Sequence, residues 1–87
     1  MGVHIRTAMD FSDRDLVDCD PAMAEGFAEA IVELIVAVVT AYGGSHRVAW
    51  FRAVDRLADL AHLARSTGRP DVADVYEAAA VTTLLRL

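Results

Sequence analysis

The segment from Ala22 to Tyr42, AMAEGFAEAIVELIVAVVTAY, has the length of a long helix and is apolar on almost every side. Charge enters only at Glu25, Glu29 and Glu33, whose spacing of four sets them along one face. A helix with so little polar surface cannot lie on the outside of a small monomer. It must be covered on several sides, and where its own chain runs out a partner chain has to do the covering.

The chain cannot cover it alone. At 87 residues it is one domain, and a fold of that size removes only about 60–65% of its unfolded surface from water. Hydrophobic residues nevertheless make up 55% of it, with a mean hydropathy of +0.34. The expected architecture is all-α: a small helical hairpin or three-helix domain with a short N-terminal extended arm, completed by dimerisation into a helical bundle.

Residues 1–20 read as the arm with a short helix, and 21–87 as the helical domain, with helices about 21–42, 46–66 and 71–86. In the arm, Val3, Ile5, Thr7 and Met9 alternate with His4, Arg6 and Ala8, the pattern of a strand. Ser12 then looks like an N-cap with Asp15 at the third helical position, and Phe11 is placed to staple onto Leu16. Asp20 caps the next helix and Pro21 takes its first position, where a missing N–H costs nothing. That helix ends at Gly43-Gly44. Its β-branched run, Ile31-Val32 and Val36 to Thr40, favours strand locally, but length and caps outweigh it.

Ser45 caps the third segment. Trp50, Val54, Leu57, Leu60, Ala61 and Ala64 line one side of it, with Phe51 and Ala58 widening the arc; Arg52, Asp55, Arg56, Asp59 and His62 line the other. Thr67-Gly68-Arg69-Pro70 breaks the chain, and Asp71 and Asp74 suit the positive end of a last helix whose Ala78-Ala79-Ala80 permits close approach. Short connections make neighbouring helices antiparallel.

A net charge of −5 and a pI near 4.9 disfavour a nucleic-acid partner or an anionic membrane, either of which calls for a dense positive face. A strand followed by helices is also the order of a ribbon-helix-helix DNA binder. Here, however, the insertion after the strand is too long, and its aspartates would repel phosphate. Ala30–Tyr42 is too short to span a bilayer and contains Glu33. A lone cysteine, Cys19, fits a reducing compartment, so the expected location is the cytoplasm.

Three constellations carry the candidate chemistry. The Glu25, Glu29 and Glu33 row is a possible partner-binding surface, with pairing to Arg52 and Arg56 on the neighbouring helix as the plainer expectation. Asp59 and His62 stand at the spacing used in carboxylate-bridged metal sites of helical bundles, but they share a face with arginines, and a simple His–Asp hydrogen bond is expected instead. Trp50 and Phe51, with Phe27 and Tyr42, read as core rather than as a ligand pocket. No phosphate loop, nucleophile elbow or zinc-ligand set is present, and nothing in sequence ties a base to Cys19.

The sequence therefore predicts a non-enzymatic protein–protein interaction module with no catalytic, cofactor or metal residues. It would be a small adaptor or regulator, antitoxin-like or of the phage-inhibitor type, acting as a homo-oligomer, with itself and another protein as partners. The interface residues expected are Phe27, Ile31, Leu34, Ile35, Val38, Val39 and Trp50. The alternatives are a dimeric bundle with a carboxylate/His metal site and a small dimeric DNA-binding regulator.

Overall fold

The computed structural model describes residues 12–87, and the described residues are all-helical. The expected strand and the Phe11 staple lie outside them. Four helices follow in order: α1 (Asp13–Val17), α2 (Pro21–Ala41), α3 (His46–Ser66) and α4 (Pro70–Leu84). The β-branched run stays helical through to Ala41.

The starts are set by local chemistry. Ser12 accepts from the Asp15 N–H while the Asp15 carboxylate accepts from the Ser12 N–H, a reciprocal capping box. Asp20 caps α2 ahead of Pro21, and Ser45 caps α3 by accepting from the Val48 N–H at 3.1 Å. The last helix departs slightly from expectation. It begins at Pro70 rather than Asp71 and ends at Leu84, with no side-chain cap at Arg69.

Glycines make both reversals. Gly43 sits at φ +86°, the left-handed region that ends helices, and the Gly44 N–H returns to the Val39 carbonyl at 2.9 Å. Gly68, at φ +80°, turns α3 into α4 in the same way. α2, α3 and α4 therefore run up, down and up. The end of α2, the start of α3 and the end of α4 share one end of the bundle, where the Arg86 guanidinium lies 5.4 Å from the centre of the Trp50 ring.

The core is unevenly shared. α3 contributes Ala49, Ala53, Leu57, Leu60, Ala61 and Ala64, and α4 contributes Val72, Ala73, Tyr76, Ala80 and Thr83. Leu16 and Val17 of α1 close one side. From α2 only Ala24, Ala28 and Ile31 are buried, so nothing beyond Ile31 in that helix is fully covered. Arg69 ties the other end together. It reaches the Cys19 carbonyl, Asp18 and Asp71, pinning the α1–α2 connection to the start of α4.

Candidate interaction surface

The second half of α2 leaves an open groove against α3, of about 590 Å³. Leu34, Ile35, Val38 and Val39 form its apolar side, Ile31 and Leu16 its floor, and Arg52, Asp55, Arg56 and Asp59 its opposite wall. Helix phase explains this composition. Residues 52, 55, 56 and 59 fall on one stripe of α3, about a third of a turn from the stripe holding Leu57 and Leu60.

One end of the groove is closed by α1: Arg56 pairs with Asp13 at 2.5 Å. The hydrogen bond from Arg56 holds the Asp13 carboxyl below the usual carboxylate range. Arg52, Asp55 and Asp59 are exposed and make no ion pair with any described residue.

No protein-family model, curated protein or solved structure matches this chain. Its function has to be read from its own surface.

Of the expected interface residues, Leu34, Ile35, Val38 and Val39 come together in this groove, and Val38 is 44% exposed. Phe27 and Trp50 are half-buried outside it, Phe27 against the core and Trp50 beneath Arg86. Ile31 belongs to the chain's own core, being almost completely covered.

The Glu25, Glu29 and Glu33 row occupies a different groove. It faces α4, beside Asp74 and Arg86, over Ala28, Val32, Val75 and Ala79. The expected pairing with Arg52 and Arg56 does not occur within the chain. Arg56 is taken by Asp13, and among the described residues no cation lies within ion-pair distance of the row. The cause is helix phase again: the glutamates point to the α4 side of α2 and the arginines to its α3 side.

Asp59 and His62 do not come together in a hydrogen bond; both are exposed, and neither side chain pairs with a described residue, although the His62 carbonyl accepts from the Ser66 hydroxyl. Among the described residues no three His, Cys, Asp or Glu side chains gather as a metal site. The Cys19 thiol donates to the Leu16 carbonyl, and burial, reinforced by Asp20, pushes its pKa up, opposite to what activates a nucleophile. Among the described residues no helix is long and apolar enough to cross a membrane.

The sequence reading missed two things. Ala49 and Ala53 are fully buried core residues, while Phe51 (46% exposed) and Ala58 face outward; the contact stripe of α3 is displaced towards its small residues. It also missed the apolar end of the bundle. Tyr42, 89% exposed, lies there with Val48, Phe51, Val81, Leu84 and Leu85. Residues 34–54 and 78–87 contain no acidic residue, so Arg47, Arg52 and Arg86 give this end a positive character that the net charge conceals.

Proposed function

We propose that this chain is a non-enzymatic protein–protein interaction module, a small adaptor or regulator that works as a homo-oligomer in the cytoplasm. The carrying observation is that no residue of α2 beyond Ile31 is fully buried, Val32 and Ile35 being only partly covered against the core, while Leu34, Ile35, Val38 and Val39 line an open groove. Water against these aliphatic side chains is unfavourable, by roughly 1.5–3 kcal/mol for a fully exposed one that a partner buries and by less for Leu34, Ile35 and Val39, which are already half-buried. A second copy supplies that cover. The open Glu25, Glu29 and Glu33 row is then the surface left for a basic partner protein, in the manner of an antitoxin or inhibitor.

Native mass spectrometry and light scattering test this reading. The expected result is a dimer at twice the bare polypeptide mass, reduced to a monomer with unchanged helical circular dichroism by Val38→Asp. A wild-type protein that stays monomeric at tens of micromolar, or a Val38→Asp variant that stays dimeric, would overturn it.

A further inference from the structure

The groove wall on α3 carries a sign pattern that inverts when read backwards. Arg52, Asp55, Arg56 and Asp59 read plus, minus, plus, minus. In a two-fold interface, if residue i meets residue j of the second copy, then j meets i. An antiparallel crossing of α3 on itself, centred between Asp55 and Arg56, brings Arg52 to Asp59 of the second copy and Asp55 to Arg56 of the second copy. All four contacts generated by the axis are of opposite sign.

We infer that the α2–α3 groove is a self-complementary dimer face, with a second copy of this chain seated antiparallel on it and the Arg52–Asp59 pairs setting its register. This rests on the homo-oligomer reading above and specifies where and how the copies meet.

Charge selects this face over the others. A two-fold axis through the Glu25, Glu29 and Glu33 row would set glutamates against glutamates. One through the apolar end would gather Arg47 and Arg86 of both copies with no acidic side chain from residues 34–54 or 78–87. Like charges facing across an interface oppose association, and of these three faces the sign-alternating groove is the one that avoids them. It also sets Leu34 and Val38 beside the charged contacts, giving the apolar area that opposite charges alone do not supply. Arg56 keeps Asp13 on one edge of its planar guanidinium, which has donors left for a second carboxylate.

Within one chain Arg52 and Asp59 cannot pair. Seven residues along a helix separate them by about 10 Å. Rescue between these two positions therefore reports contact between copies.

The experiment is sedimentation equilibrium on the wild type, Arg52→Asp, Asp59→Arg and the double variant carrying both changes, with circular dichroism confirming the fold of each. Each single change puts like charges across the axis and is expected to raise the dimer Kd about tenfold or more, whereas the double variant restores it to within about threefold. A double variant no better than either single, or singles with wild-type Kd in a protein that is dimeric, would overturn the register while leaving the homo-oligomer reading intact. A monomeric wild type would overturn both.

Discussion

The Tyr76 hydroxyl donates to the Leu16 carbonyl at 2.5 Å, joining two residues 60 apart in sequence. Tyr76 is fully buried, and that burial pushes its phenol pKa well above the ordinary value, so it stays a neutral donor throughout the working pH range. Its partner carbonyl sits near the end of a helix of five residues, too short to hold itself in place. One side chain of α4 thus holds α1 from one side, as the Arg56–Asp13 pair holds it from α3.

Tyr76→Phe follows directly. The ring keeps its packing, but the Leu16 carbonyl loses this partner. The expected cost is about 1–3 kcal/mol in urea unfolding. A loss below a few tenths would show that water replaces the hydroxyl freely.

Much of this was legible beforehand where the cause is local. Ser12 with Asp15, Asp20 with Pro21, Gly43-Gly44 and Ser45 all act within a few residues of themselves, and each lies where its pattern places it. What sequence could not fix is the rotation of each helix about its own axis. Ala49 and Ala53 look like residues of mere helix propensity, whereas Trp50 and Phe51 look like core. The packed bundle buries the alanines completely and leaves Phe51 outside. Arg56 illustrates the same limit. Its carboxylate is Asp13, 43 positions away, and no spacing rule reaches that far. The apolar groove is readable as a greasy helix, but its charged wall depends on the rotation of α3 that turns this stripe towards α2, which only the packing decides.

The two glycines Gly26 and Gly44 give opposite expectations for the same change. Gly26 lies inside α2 with open space where a Cβ would project. Gly26→Ala should stabilise by about 0.5–1 kcal/mol, because the unfolded chain loses freedom that the helix does not use. At Gly44 a Cβ would collide with the Val39 side chain and press on its carbonyl. Gly44→Ala is expected to destabilise by about 1–3 kcal/mol, as overpacking does. Thermal melts of the two variants should shift in opposite directions; shifts of one sign would mean the turn relaxes around the added methyl.

Acid should release the Asp13–Arg56 pair. Its folded-state pKa lies below the ordinary 3.8, so its stabilising contribution is complete above that value and disappears as pH falls through the lowered one. The pair is well exposed, which limits the contribution to no more than about 1 kcal/mol. Asp71, held down by its hydrogen bond from Arg69, changes in the same direction over the same range. Asp13→Asn should therefore melt below the wild type at pH 6, and the difference should close towards pH 2–3, on the order of the carboxylate range. A gap that persists in acid would assign the effect to packing of α1 rather than to charge.

The displaced contact stripe of α3 can be read by enlarging alanines. Ala53 is fully buried between neighbouring helices, whereas Ala58, five residues on, is exposed on the far side. Ala53→Leu has no room for its three added carbons and should cost about 1–3 kcal/mol or loosen the packing of α3 against α4. Ala58→Leu points into solvent and should change stability by less than about 0.5 kcal/mol. Urea unfolding distinguishes the two, and the comparison bears on the whole arrangement. If Ala58→Leu were the costly change, α3 would be rotated towards the Trp50–Phe51 side. Arg52 and Asp59 would then no longer line the groove beside Leu34 and Val38.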